Sequence, residues 1–306
     1  MDKLFEVLDK EERITFALRA LYRQFGYTMY RMSKFEEYDL YVKNKDFLVS
    51  ENVITFTDTD GRLMALKPDV TLSIIKNAKD LGNGLQKVYY NENVYRVSKG
   101  TKSFKEIMQA GLECLGNVTE ESIVETLYLA AKSLDEISEN NVLEVSNLDI
   151  PSGVLEFFGV SEEGKKEIFA CLGEKNAQGV KTVCEREKLS KEAQEIAQKL
   201  VTVYGAPSKV LDGLEAFKVN GQVEAAVERL KGVIAELDRR GVNKICVDFS
   251  VVNDMKYYNG LAFKGFVEGI PTGVLSGGQY DKLMKKMNKN AKAIGFAVYL
   301  DGLDRI

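Results

Sequence analysis

Three observations predict an α+β fold for this 306-residue chain: one sheet-based core flanked by helices and interrupted by a helical insertion. Apolar residues recur at helical spacing in 10–25 and again in 121–137. Short apolar runs bracketed by turn residues lie between and after them, the pattern of strands and hairpins. Residues 152–240 keep helical periodicity, are rich in charge and show no strand run. The expected division is therefore a core of 1–151 and 241–306, with 152–240 inserted between its halves.

The elements follow in order. The first helix is expected over 10–25, where Ile14, Ala17, Leu18, Leu21, Tyr22 and Phe25 share a side and Gly26 supplies a C-terminal stop. Residues 27–36, YTMYRMSKFE, read as one strand leaving that helix. VITFTD (53–58) and RLMALKP (62–68) read as two strands about the turn Asp58-Thr59-Asp60-Gly61, since Asp-Gly suits a tight hairpin. Pro68 closes the second strand, and Val70 to Lys79 is expected to be helical. Residues 85–116 read as strand, loop, strand. The helix at 121–137 lines up Ile123, Val124, Leu127, Ala130, Ala131 and Leu134. Beyond the insertion, KICVDFS (244–250), LAFKGFVEG (261–269) and AIGFAVYL (293–300) alternate with Gly-rich turns. The chain ends at Ile306 on a helical start, and no further C-terminal domain is expected.

Composition narrows the chemistry. Hydrophobic residues are 45% and charged residues 29%, an ordinary soluble globular balance. The charged N-terminus MDKLFEVLDKEER has no apolar core of a signal peptide, and no apolar run is long enough to cross a bilayer. Cys114, Cys171, Cys184 and Cys246 lie far apart and fit neither a disulfide framework nor a metal pattern. A cytoplasmic protein with reduced cysteines is expected. A net charge of −4 argues against a general nucleic-acid binder. There are no histidines, which removes His-based general bases, Ser-His and Cys-His nucleophiles and His-ligated metals together. No phosphate-binding loop, dinucleotide fingerprint or zincin motif occurs, so no metal and no cofactor is expected.

In this order the segments resemble the catalytic core of class II aminoacyl-tRNA synthetases, and locally they are most similar to histidyl-tRNA synthetase. ALKPDVT (65–71) is similar to that family's LRPEGT. VYRVSKG followed by KEIMQAGLECLG (94–116) is similar to its motif 2, FRxERP followed by RQFHQxGxExxG. MKYYNGLAF (255–263) is similar to the histidine-binding signature RGLDYYxGxxF. SGGQYDKL (276–283) and AIGFAVYLDGL (293–303) are similar to GGGRYDxL and to motif 3, GFxxGxERL. The resemblance runs in order across nearly the whole chain. It implies a class II antiparallel sheet flanked by helices and a homodimer formed through motif 1, helix 10–25 and its following strand.

The departures fall on the phosphate side. The resemblance places the motif 2 arginine at Arg96, but that motif's glutamate falls on Ser98. The motif 3 arginine falls on Gly302, preceded by Asp301 for glutamate. Asn253 stands for the arginine opening the histidine signature, Gln279 for the arginine of GGRYD, and Ser33 for the motif 1 proline. Adenylate formation needs arginines clamped on phosphates, and one lost donor costs roughly 10²–10³ in rate. Lys99, Lys102 and Lys105 are point charges that do not reproduce a planar fork, and read as a solvated loop. No catalytic residue is expected.

The amino-acid side is retained. By the resemblance, Asp69 and Thr71 fall where the family holds its substrate's α-amino group, with Val70 replacing the glycine between them. Gln109 and Glu113 match the QxGxE stretch, and the tyrosine pair is Tyr257 and Tyr258. With Arg96 these form the candidate histidine pocket. Each has a plainer reading: Asp69 and Thr71 as a helix cap, the tyrosines as core packing, Arg96 as a surface ion pair, and Gln109 and Glu113 as exposed partners on a strand or helix.

The chain also resembles a family of non-catalytic proteins, the regulatory subunits of short-form ATP phosphoribosyltransferase, which are histidyl-synthetase-like and lack the anticodon-binding domain. That implies a partner, the catalytic subunit joining ATP to phosphoribosyl pyrophosphate at the first step of histidine biosynthesis. It also implies histidine as feedback ligand, and neither tRNA nor membrane as partner. The alternatives are a truncated histidyl-tRNA synthetase and a synthetase-like amino-acid-binding paralogue.

Overall fold

The computed structural model describes residues 7–48, 53–79, 82–98, 101–251 and 257–303. The N-terminal half holds α1 (Lys10–Gln24), β1 (Thr28–Met29), β2 (Phe35–Glu37), α2 (Tyr38–Lys43), β3 (Thr55–Thr57), β4 (Leu63–Leu66), α3 (Thr71–Asn77), β5 (Leu85–Val97), β6 (Phe104–Gly116), α4 (Glu120–Ile137) and β7 (Asn141–Asn147). The middle contributes α5 (Asp149–Phe157), α6 (Glu162–Gly173), α7 (Ala177–Arg186), α8 (Lys191–Thr202), β8 (Tyr204–Gly205), α9 (Pro207–Val210) and α10 (Gly221–Arg239). Last come β9 (Ile245–Asp248), β10 (Asn259–Val267), β11 (Leu275–Gln279), α11 (Asp281–Lys286) and β12 (Lys292–Tyr299).

Local chemistry explains several boundaries. Asp9 accepts from the Glu12 amide at 2.7 Å while Glu12 accepts from the Asp9 amide at 3.1 Å, a reciprocal cap that starts α1. The expected hairpin at 58–61 forms. The Asp58 carboxylate accepts from the amides of Asp60 (2.9 Å) and Arg62 (2.8 Å), and Gly61 takes the left-handed conformation the turn requires, at φ 81°. The single strand expected over 27–36 does not form. Thr28–Met29 joins the large sheet and Phe35–Glu37 the small one, because the intervening residues lead the chain from one sheet to the other.

Among the described residues the large sheet has nine strands, in the order β1-β5-β6-β12-β11-β10-β7-β9-β8. Its body from β5 to β7 is antiparallel, as expected; β1 pairs β5 and β7 pairs β9 in parallel. A three-stranded sheet, β2-β4-β3, lies apart from it. Helices α1, α4, α5 and α10 bury their apolar sides in one cluster with Leu112, Phe296, Phe263, Val145 and Val247 of the large sheet. Side chains of α6 to α8, among them Ile168, Val180 and Leu200, join the same cluster. A second cluster lies on the opposite face. There α3, α11 and the small sheet pack Leu72, Ile74, Ala65, Leu283 and Met284 against Val88, Tyr90, Leu115 and Ala293.

The two faces differ in what they expose to these layers. Directly paired residues point the same way, so register gives rows that cross the sheet. The row Leu112, Phe296, Gly277, Phe263, Val145 faces the helices. One residue along each strand, the row Glu113, Gly295, Gly278, Ala262, Ser146 faces the other way, followed by Gly111, Ala297, Ser276, Lys264, Glu144. These small and polar residues leave a floor with little side-chain volume. The candidate site is built on it.

Candidate amino-acid-binding site

Glu113 lies at the centre of the site and is only 2% exposed. Its place on β6 opposite Gly295 lets its side chain lie flat across the neighbouring strand. A methyl group on Gly295 would overlap the Glu113 carboxylate. Gly111 and Gly278 work alike: a methyl on Gly111 would come within 2.5 Å of the Tyr90 hydroxyl, and one on Gly278 within 2.8 Å of the Tyr258 ring. Three glycines thus make room for three polar side chains lying across the sheet.

Two hydroxyls meet the Glu113 carboxyl. Thr71 Oγ1, from the first turn of α3, donates to Oε1 at 2.7 Å, and the Tyr280 hydroxyl, just after β11, donates to Oε2. Burial pushes the carboxyl up to about 8, against the lowering effect of Tyr280 and Thr71 and with a further upward push from Asp69. Hydroxyl donors stabilise the charge less than an ammonium or guanidinium would. The site is therefore short of positive charge, the setting in which a cation gains most from binding.

Asp69 Oδ1 accepts from the Leu72 amide at 2.9 Å, so the cap reading of this residue holds for that oxygen. Burial raises the Asp69 carboxyl, opposed by the Leu72 amide and the nearby Arg96 guanidinium. Arg96, half-buried on β5, donates from Nε to the Pro68 carbonyl at 3.0 Å, which ties the end of β5 to the start of α3. Just before Pro68, Lys67 is fully buried and paired with Glu92. Removing either partner would strand a charge.

Tyr257 packs against Tyr258 (4.8 Å between ring centres), Tyr280 (5.8 Å) and Phe47 (6.3 Å). Burial holds the phenols of Tyr257, Tyr280 and Tyr90 well above their ordinary value, and the nearby carboxyls of Asp69 and Glu113 add to this for Tyr257. Gln109 lies on β6 two residues beyond Gly111, on the same face as Glu113, and is 3% exposed. Its Nε2 has no hydrogen-bond partner among the described residues.

The structure thus brings Asp69, Thr71, Glu113, Tyr257 and Tyr258 into one cluster, with Arg96 beside Asp69 and Gln109 further along the floor. Sequence reasoning missed Tyr280, Tyr90 and the three glycines as parts of it. Part of their signal was present: Gly111 and Gly295 fall between apolar residues at the alternate positions of β6 and β12.

The family whose sequence profile matches is histidyl-tRNA synthetase, over residues 2–303. The chain belongs to that family. It is 28% identical over 288 residues to an ATP phosphoribosyltransferase regulatory subunit from Acetivibrio thermocellus, covering 92% of this chain and 68% of that protein. Solved structures share the fold. One from Bacillus halodurans C, described as an ATP phosphoribosyltransferase regulatory subunit/histidyl-tRNA synthetase, superposes with a TM-score of 0.84 at 21% identity over 99% of this chain and 79% of that one. A chain of the ATP phosphoribosyltransferase HisG:HisZ complex from Thermotoga maritima gives 0.74 at 16% identity, over 95% and 98%. No helix among the described residues is long and apolar enough to cross a membrane.

Several positions where this chain departs from the motifs of that family can be placed in the structure. Gly302 has φ 85°, a left-handed conformation that an arginine side chain strains to adopt. Tyr299 stands at the second glycine of the motif 3 pattern and shares a face with Gly295 and Ala297. Gln279 is turned into the sheet, accepting from the Leu261 amide at 3.1 Å. Ser98 closes the β5–β6 loop through backbone bonds with Ser103 and Lys102, each 2.9 Å. Ser33 accepts from the Phe35 amide at 3.1 Å. Asn253 and Lys99 lie outside the described residues.

Proposed function

We propose that the chain is a non-catalytic regulatory subunit of short-form ATP phosphoribosyltransferase. In this reading it binds the catalytic subunit in a cytoplasmic hetero-oligomer, is required for full transferase activity, and conveys feedback by histidine. The observation that carries it is the contrast within one site: a buried, organised amino-acid side around Glu113, beside a phosphate side where Gly302 and Ser98 replace the charged residues of the motifs. The names of the relatives support the choice of partner.

The cluster of Asp69, Thr71, Arg96, Gln109, Glu113, Tyr257 and Tyr258 is the histidine pocket of this proposal. The acidic, cation-poor setting of Glu113 suits an imidazole or ammonium group. The subunit dimerises through α1 and the segment after it. Residues 1–151 and 241–306 form the scaffold, and 152–240 is a helical insertion. Histidine acts as an effector by favouring a less active arrangement of the complex, a coupling between two sites.

The test is reconstitution. The purified catalytic subunit is assayed alone, with this chain, and with this chain plus histidine. The proposal expects a stable complex, a rise in transferase rate and inhibition that strengthens when the chain is present. Absence of a complex would overturn it. Histidine-dependent ATP–pyrophosphate exchange by the chain alone would return it to the synthetases.

A further inference from the structure

A buried ion pair stands beside the amino-acid cluster. The Lys67 side chain is 0% exposed, and its ammonium is bonded to one oxygen of the Glu92 carboxylate. The Met32 amide donates to the other oxygen at 3.4 Å. Backbone bonds fix Lys67 between two segments: its amide donates to the Lys34 carbonyl at 3.1 Å, and its carbonyl accepts from the Tyr95 amide at 2.8 Å. Pro68 and Asp69 follow directly, so this residue leads into the site.

Register puts Glu92 directly opposite Gln109 on the floor of the sheet, with Tyr299 opposite Gln109 on the other side. Residues paired in this way have Cβ atoms about 5 Å apart, within reach of long side chains. Gln109 is 3% exposed, and its Nε2 has no hydrogen-bond partner among the described residues. A buried amide donor normally has one. A carboxylate therefore stands next to a buried amide group that needs an acceptor, yet it is bonded to Lys67. Charge decides that contest. An ammonium is a stronger partner for a carboxylate than a neutral amide is, and a fully buried ammonium left alone is far more costly.

We propose that Lys67 is a positioning residue for the amino-acid site. By holding Glu92 it keeps that carboxylate off Gln109, and the Gln109 amide stays open to an acceptor atom of a small ligand. Lys67 touches no ligand itself and acts through Glu92. The use of the open amide rests on the amino-acid-binding reading; the placement of Glu92 does not, and is tested without ligand.

Two variants separate this role from plain stability. In Lys67→Met the Glu92 carboxylate loses its cation and takes the Gln109 amide. In Lys67→Met/Glu92→Leu an apolar pair replaces the ion pair, and the competing acceptor is gone. The side-chain amide resonances of Gln109, assigned by their loss in Gln109→Leu, are followed in the intact chain. Lys67→Met should shift them and slow their exchange with water, and the double variant should return both to the parent values. Histidine affinity, measured by calorimetry, should fall roughly tenfold in Lys67→Met, the worth of one hydrogen bond to a buried group. It should recover in the double variant, whereas a merely structural role leaves the double variant no better than the single one. The proposal is overturned if the Gln109 resonances ignore Lys67→Met, or if the double variant does not show them as in the parent. The second criterion decides alone where Lys67→Met does not fold. If the parent binds no histidine, the amino-acid-binding reading fails, and the resonances still decide the role of Lys67.

Discussion

The two faces of the large sheet are written in the same strands, one residue out of step, and they do opposite things. Leu112, Phe296, Phe263 and Val145 present large apolar groups to the helices. Their sequence neighbours Glu113, Gly295, Ala262 and Ser146 present a carboxyl, two nearly bare positions and a hydroxyl. The first face holds the molecule together by burying apolar area. The second gives up that stabilisation to keep a polar floor. A one-residue slip of any central strand would exchange the two roles, and for that reason register is tightly specified here.

The sharpest way to break the contrast is to hollow the apolar face. Phe296→Ala should cost roughly 3–5 kcal/mol in urea unfolding, with little change in ligand binding beyond that due to stability. On the polar face Gly295→Ala should also destabilise, by about 1–3 kcal/mol, because its methyl meets the Glu113 carboxylate and the Leu112 carbonyl. Unlike Phe296→Ala, it should also abolish the Glu113 hydrogen bonds. A stability change near zero would show that the floor is loose.

The polar face should carry a pH signature that the apolar face lacks. The Glu113 carboxyl moves from 4.5 to about 8 on folding. Below about 4.5 it is protonated in both states and costs nothing. Between 4.5 and 8 the unfolded chain releases this proton while the folded chain keeps it, so stability falls as pH rises through that window. The slope from this group is at most about 1.4 kcal/mol per pH unit. Glu113→Gln should remove it, and parallel stability–pH curves for the variant and its parent would sink the assignment.

Tyr280→Phe removes one donor to Glu113 and should cost about 1–3 kcal/mol; Thr71→Val should behave alike. The smallest effect belongs to neither face: Asp9→Ala removes the α1 cap and should cost about 1 kcal/mol. A larger loss there than at Tyr280 would mean the polar network contributes little.

Much of the fold was legible because periodicity and turn chemistry are local. The apolar side of α1 and its stop at Gly26, the Asp58–Gly61 hairpin, the β5–β6 pair and α4 all follow from residues close in sequence. The 27–36 segment was misread for a complementary reason. Its alternation is compatible with a strand, but which sheet each end joins depends on partners at Val88 and Leu66, 60 and 31 residues away from Thr28 and Phe35. For the candidate site, the motif-bearing residues Asp69, Thr71, Glu113, Tyr257 and Tyr258 were found from sequence. Tyr280 was not, since nothing in SGGQYDKL says that its hydroxyl reaches a carboxylate 167 residues away.

By itself, the sequence determined the class of fold, the residue types available for chemistry and, through the family resemblance, the loss of the motif glutamate at Ser98 and the motif arginine at Gly302, because these are carried by composition and short-range pattern. Only the tertiary structure decided that three glycines lie under three polar side chains and that two hydroxyls rather than a cation hold Glu113. Those facts arise from register across strands far apart in the chain. Desolvation then turns that placement into energy, since a buried carboxyl or hydroxyl is costly or useful according to what stands within hydrogen-bond reach.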